Sequence, residues 1–265
     1  MGKTADLTVV QKTTIDTLHK EGKSQKVIAK EAGCSQSSVS KHINREPLLN
    51  IRRHQKRLTW AKDKKDWTAA EWSKVMFSDE SKFCISFGNQ GPRVWRKRGE
   101  AQNPCCLRSS VKFPQSVMVW GAMSSAGVGP LCFLRSKVNA AVYQDVLEHF
   151  MLPAADQLYG DADFIFQQDL APAHSAKATS TWFKDHGIPV LNWPANSPDL
   201  NPIENLWGIV KRKMRCARPN NAEELKATIR ATWALITPEQ CHRLIDSMPC
   251  RIAAVIQGKG APTKY

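Results

Sequence analysis

The sequence predicts an α/β protein with a mixed sheet, preceded by a small all-α domain. Three observations carry this. Before residue 46, apolar residues recur at helical spacing; near Trp72 the pattern turns to short strand-like runs; beyond Ala140, helical and strand patterns alternate.

Taken in order, the first segment reads as three helices, Val9 to Glu21, Ser24 to Glu31 and Gln36 to Arg45, with Ile15, Leu18, Val27, Ile28, Ala32, Val39 and Ile43 at core spacing. Gly22 and Gly33 punctuate them, and Ser24 and Ser35 are candidate N-caps. The short Gly33-Cys34-Ser35 link fits a helix-turn-helix, whose last helix enters the major groove. That assigns base contact to Gln36, Ser37, Ser38, Ser40 and Lys41, with Arg45 behind them on phosphate. Any three-helix unit with a solvated polar face fits the same pattern.

From Trp72 onward, Lys74 to Ser78, Lys82 to Phe87, Ser116 to Met123 and Pro130 to Arg135 read as strands, the middle pair separated by a Gly/Pro-rich excursion. A helix from Ala140 to Leu158, a strand from Asp163 to Gln168, a helix from Ser175 to His186 and a short strand from Pro189 to Asn192 follow. At least two more helices complete the chain. This order is that of an RNase H-like core.

The 265 residues are 42% apolar, enough to bury a core, and 38 Lys and Arg oppose 24 Asp and Glu for a net charge of +14. A polyanion is the expected partner: nucleic acid first, an anionic membrane surface second. No apolar run is long enough to span a bilayer, so no membrane is expected as partner. The eight cysteines lack C-x-x-C or finger spacing and read as reduced thiols, mostly core filler. Half the excess charge lies between Lys41 and Lys65, where nine basic residues face two acids; Arg52, Arg53, Lys56 and Arg57 there are expected to neutralise phosphates. The same run suits nuclear import, and the nucleus is the expected location.

Three acids concentrate the chemistry. Asp79 follows the apolar run VMF, Asp169 follows FIFQQ, and Glu204 comes 34 intervening residues later at a helix start. Converging carboxylates can hold two divalent cations for attack on a phosphodiester. Each acid also has an ordinary explanation. Asp79 suits a turn, with Glu80 a competitor for its role; Glu204 falls at N3 after Asn201 and Pro202, where a capping-box Glu would sit. His174, five residues past Asp169, takes a supporting role. Trp182, Trp193 and Trp207 read as core packing, and Lys211, Arg212, Lys213, Arg215 and Arg218 add positive charge after Glu204.

The ordered segments VMFSDESKF, VWRKRGEA, SVMVWGAMSS, FIFQQDLAPAHSA, NWPANSPDLNPIENLWGIVKRK and GKGAPTKY resemble the catalytic domain of the mariner superfamily of transposases, in its Tc-type branch. The likeness covers Pro47 to Tyr265, and the 34-residue gap is the spacing of that branch. It implies a DDE recombinase in which Asp79, Asp169 and Glu204 bind two Mg²⁺ or Mn²⁺ ions and cleave and join DNA without a covalent protein intermediate. It further implies double-stranded DNA partners (terminal inverted repeats, with a TA target) and a homo-oligomer clasped through the excursion from Gly91 to Ser110.

The chain departs from the family pattern at one place. Members carry two helix-turn-helix subdomains; here Arg45 runs almost directly into the catalytic region, and the second subdomain is missing. The expected domains are 1–46 (helix-turn-helix), 47–70 (basic connector) and 71–265 (catalytic), with end recognition impaired. The alternative is a catalytically silent, transposon-derived DNA-binding protein. An RNase H-type nuclease acting on RNA is disfavoured, because a helix-turn-helix suits duplex DNA better than the deep A-form groove.

Overall fold

The computed structural model describes residues 7–43, 51–85, 116–134, 138–217 and 219–265. They fall into two compact units, Met1–Arg52 and Arg53–Tyr265.

The first unit holds α1 (Val9–Lys20), α2 (Gln25–Glu31) and α3 (Gln36–Ile43). Ile15, Ile28, Ala29, Ala32 and Val39 form its small core. Thr8 and Gln11 close a capping box on α1, and the Gln11 amide also donates to the carbonyls of Ala32 and Gly33, fixing the turn between α2 and α3. Ser35 caps α3 by accepting from Ser38 N–H at 3.1 Å, while Ser24 occupies the N-cap of α2 without a side-chain bond. Arg45 and the excursion from Gly91 to Ser110 lie outside the described residues, as does the side chain of Lys41.

The second unit is a layered α/β structure with helices on both sheet faces. Its strands are β1 (Val75–Cys84), β2 (Ser116–Ser124), β3 (Gly127–Val128), β4 (Cys132–Leu134) and β5 (Ile165–Gln167). The sheet runs β3-β2-β1-β5, with β4 also on β2; β1 is antiparallel to β2 and parallel to β5, so the sheet is mixed. Val190 makes a single parallel bridge to Phe166 where a further strand was expected.

One sheet face packs Val75, Phe77 and Phe83 against α5 (Ala69–Ser73), α9 (Ile203–Ala217), α10 (Ala222–Ala234), α11 (Pro238–Asp246) and α12 (Met248–Gln257). The other packs Met76, Trp120 and Phe166 against α6 (Ala140–Val146), α7 (Leu152–Tyr159) and α8 (Lys177–Asp185). Strand alternation distributes neighbours along β1 to these two cores.

Two further expected elements differ. The strands predicted from Lys74 to Ser78 and from Lys82 to Phe87 are one ten-residue strand, so Asp79 sits in its middle, paired with Gly121, and not at its end. The acidic pair interrupts the hydrophobic pattern but not the backbone ladder. The helix predicted from Ala140 to Leu158 contains a π-turn, Leu147–Met151, ahead of Pro153. Proline gives no N–H to the preceding turn and crowds its carbonyl, and the wider turn accommodates it.

The basic stretch at 47–70 includes α4 (Ile51–Asp63), and from Arg53 onward this helix belongs to the second unit. Trp60 is buried there among Trp72 and Trp193. Among the described cysteines, Cys132 and Cys241 are buried, Cys34 and Cys84 are intermediate, and Cys216 and Cys250 are exposed, so fewer fill the core than expected. No helix is long and apolar enough to cross a membrane among the described residues.

Candidate active site

The parallel pairing of β1 with β5 brings the two aspartates to neighbouring strands. Asp79 faces the helical layer that contains α9, where Trp207 Nε1 donates to its Oδ2 at 3.1 Å. The Trp207 ring is buried, stacked on Trp233 with centroids 4.8 Å apart, and crosses over Gly121. A Cβ on Gly121 would lie 2.9 Å from Trp207 Cη2, so only glycine leaves room for this ring opposite Asp79.

Asp169 lies two residues past β5 in a tight turn. Its Oδ1 accepts from Ala171 N–H at 2.9 Å and meets His174 Nδ1 at 2.6 Å. His174 is buried, stacks on the Tyr143 ring at 3.9 Å, and turns its Nε2 toward Glu80 Oε1 at 3.4 Å. Tyr143 in turn donates to Gln168 Oε1 at 2.7 Å. A row of packed and hydrogen-bonded groups thus sets the direction of the Asp169 carboxylate.

Glu204 opens the first turn of α9. Asn201 caps that helix by accepting from Ile203 N–H, and its Nδ2 donates to Ser78 O at 3.1 Å, tying the helix start to β1 one residue before Asp79. The capping-box explanation of Glu204 is not realised: among the described residues its carboxylate returns no hydrogen bond to Asn201, and it lines an open cleft instead.

The electrostatics show the acids converging. Burial, and then the charges of Glu204, Glu80 and Asp169, push the Asp79 carboxyl up to about 8 against a lowering backbone hydrogen bond at Glu80. Burial also raises Glu204, opposed by Lys211. Burial would raise Asp169 too, but hydrogen bonds from His174 and Ala171 outweigh it and hold the group below its ordinary value. His174 is disfavoured as a cation by burial, yet its bonds to Asp169 and Glu80 lift it to about 9.

Hard carboxylate oxygens gathered around a buried Asp79, whose charge burial and its neighbours oppose, fit a divalent cation in kind and charge. Among the described residues no three acids, histidines or cysteines are drawn close enough to form a finished cage. Trp207 occupies one oxygen of Asp79, and His174 one of Asp169.

The residues assigned to DNA contact fare differently. Gln36 and Ser37 are exposed at the start of α3, Ser38 and Ser40 are half-buried, and Arg52, Arg53 and Lys56 are exposed on α4. Arg57 is a correction: it is 1% exposed, with Nε on Gly260 O, Nη1 on Ser197 Oγ and Asp199 Oδ1, and Nη2 on Asp199 Oδ2 and Ala261 O. All its donors are consumed inside the protein. Helical periodicity places Arg57 opposite the exposed face of α4, and the basic run concealed that.

Sequence reasoning missed Trp207, Gly121 and Tyr143. Trp207 had a signal, since it follows Glu204 by three residues and so shares its helix face. The other two depend on strand register and layer packing, which no local pattern shows.

A model of the DDE superfamily endonuclease family matches residues 74–226, a span that contains all three acids. The Tcb1 transposase of Caenorhabditis briggsae and the Tc1 transposase of Caenorhabditis elegans are each 38% identical over 224 residues, covering 83% of this chain and 81% of theirs. The catalytic domain of Mos1 mariner transposase superposes with a TM-score of 0.65 at 21% identity, covering 82% of this chain and 98% of that one, which shows the RNase H-like fold.

Proposed function

As a member of the DDE superfamily endonucleases, in the Tc1-like branch of the mariner/Tc1 transposases, the chain is a DDE transposase, and we propose that it cleaves transposon-end DNA and joins it to a target at Asp79, Asp169 and Glu204. The observation that carries this is the convergence of the three acids at β1, the turn after β5 and the start of α9, where burial and the charges of Glu204, Glu80 and Asp169 leave Asp79 in want of a cation. Mos1 mariner transposase, the structural neighbour, is described in paired-end complexes with Mn and with Mg. Two Mg²⁺ or Mn²⁺ ions bound by the three carboxylates would supply Lewis-acid stabilisation of a pentacoordinate phosphate and activation of the attacking oxygen.

The chain's own residues prepare that site. Trp207 Nε1 fixes the rotamer of Asp79, and the Asn201 bridge to Ser78 sets Glu204 against β1. His174 holds a proton between Asp169 and Glu80, so the second aspartate keeps one orientation and its other oxygen stays open. In the cleavage reaction, water forms the new P–O bond and a 3′-hydroxyl leaves; in joining, that 3′-hydroxyl attacks a target phosphodiester, whose own 3′ oxygen leaves. No covalent bond to the protein is needed.

α3 is the reading helix, with Gln36 and Ser37 foremost. Only seven residues separate Ile43 from Ile51, too few for another helix-turn-helix, so we propose weak discrimination of end sequences. A homo-oligomer pairing two DNA ends, acting in the nucleus at TA targets, completes the reading.

A joining assay tests it. Purified protein, a duplex with a free 3′-hydroxyl and a plasmid target should yield joined product with Mg²⁺ or Mn²⁺ and none with EDTA. Binding without joining under either metal would leave the silent DNA-binding alternative standing.

A further inference from the structure

We propose that the cleft between α9 and α11 is a subsite for a backbone phosphate of the DNA strand, gripped by Arg212 and Arg243 where the strand passes over Gly208. The proposal rests on the functional reading above and deepens it. The cleft encloses about 400 Å³, and Glu204, Gly208, Ile209, Arg212, Gln240 and Arg243 line it.

Along α9, Glu204, Gly208 and Arg212 fall on successive turns of one face, so the cleft starts at a candidate catalytic acid and ends at a cation. Eight residues of helix span about 12 Å. A strand advancing about 3.4 Å per nucleotide covers that in roughly three to four nucleotides. Phosphate held at Arg212 thus fixes how far the strand extends past Glu204, and sets which phosphodiester reaches the acids.

Two further features point to an anion. Both arginines are exposed, and neither forms an ion pair among the described residues. Glu204 lines the same cleft and Glu239 lies within the field of Arg243, yet among the described residues neither guanidinium spends a hydrogen bond inside the protein, and a guanidinium fork suits phosphate oxygens. Gln240 also lines the cleft; its Oε1 accepts from Thr237 N–H in the capping box of α11, which leaves its Nε2 to donate to the anion.

Gly208 supplies the independent observation. It sits in the interior of a fifteen-residue helix, where glycine is a poor choice. Its backbone is not in a left-handed conformation, and a Cβ built there meets nothing within 4 Å. Nothing inside the protein requires glycine at this position, whereas a sugar-phosphate chain lying close against the helix does. Gly121, the contrasting case, is explained within the chain by Trp207.

The test measures binding of a fluorescein-labelled duplex of arbitrary sequence to the full chain across a KCl series, alongside strand joining and thermal melting. Arg212→Gln with Arg243→Gln should weaken binding about tenfold per arginine and flatten the log Kd against log salt slope by about 0.9 in all, as expected for the loss of one neutralised phosphate. Lysine at both positions should restore the slope while recovering only part of the affinity. Gly208→Ala should raise Tm yet weaken binding and slow joining. Wild-type binding and joining in these variants would overturn the subsite. So would an equal loss in a charge-matched control, Lys184→Gln with Lys226→Gln, which would make the effect a general field. A wild-type protein that neither binds nor joins DNA would instead overturn the functional reading and the subsite with it.

Discussion

Trp207 donates a 3.1 Å hydrogen bond from Nε1 to Asp79 Oδ2, and the ring that carries this donor passes over Gly121, the residue paired with Asp79 on the adjacent strand. A core tryptophan therefore also orients a candidate metal ligand. Trp207→Phe keeps the stacking on Trp233 and edge contact with Phe83 but deletes the N–H. Loss of a hydrogen bond to a charged group is worth about 1.5–3 kcal/mol, so joining should slow by roughly ten- to a hundredfold, further than the Tm loss from the cavity left over Gly121 accounts for when set against a core variant of equal stability. Unchanged joining would show that the bond has no part in catalysis.

Gly121→Ala tests the same relationship from the other strand. The new Cβ would press on Trp207 Cη2 at 2.9 Å and on Leu131 at 3.2 Å, and both sit in a packed core. Overpacking of this kind costs about 1–3 kcal/mol. Chemical denaturation should show that loss, and joining should fall further than in a core variant of equal stability, such as Ile229→Val.

Arg57, buried, and Asp199, partly buried, make an ion pair at 2.7 Å that joins α4 to the loop before α9 and to the C-terminal tail. The tail reaches it through Gly260, whose φ of +88° and contact with His54 O exclude any side chain. Arg57→Met leaves the partly buried Asp199 charge with only Thr263 N–H as partner and should cost about 1.5–3 kcal/mol, visible as a drop in denaturant midpoint. Burial raises the Asp199 carboxyl, but the bonds from Arg57 and Thr263 outweigh it, so its folded value lies below the ordinary 3.8. The sign follows: stability from this pair is present above pH 3.8 and is lost as pH falls through the lower folded value. The stability gap between wild type and Asp199→Asn should therefore be widest near neutrality and close below about pH 4. A gap that stayed constant to acid pH would contradict the pairing.

The fold class was legible because helical and strand periods separate cleanly, and the acid spacing was legible because Asp169 follows a recognisable apolar run and Glu204 the helix-start signal of Asn201 and Pro202. The continuity of β1 was not. Asp79 and Glu80 look like a turn in sequence, but the ladder to β2 from Phe77 to Cys84 carries the chain straight through them. Burial of Arg57 was hidden in a run of exposed cations, since charge composition does not say which side of a helix faces inward. The Glu80–His174–Asp169 row and the cleft above Gly208 depend on elements far apart in sequence, and only the packed layers bring them together.

The most direct test of the central claim is a plasmid-nicking assay with Asp79→Asn, Asp169→Asn and Glu204→Gln, each alone, in Mg²⁺ and in Mn²⁺. All three should fold, with Asp79→Asn at least as stable as wild type, because it removes a carboxylate opposed by burial and by three neighbouring acids. Each should lose at least about a hundredfold in nicking rate, beyond the 10–100-fold typical of a residue that only supports a metal ligand. Wild-type nicking by any one of the three, with contaminating nuclease excluded, would contradict the assignment of the triad.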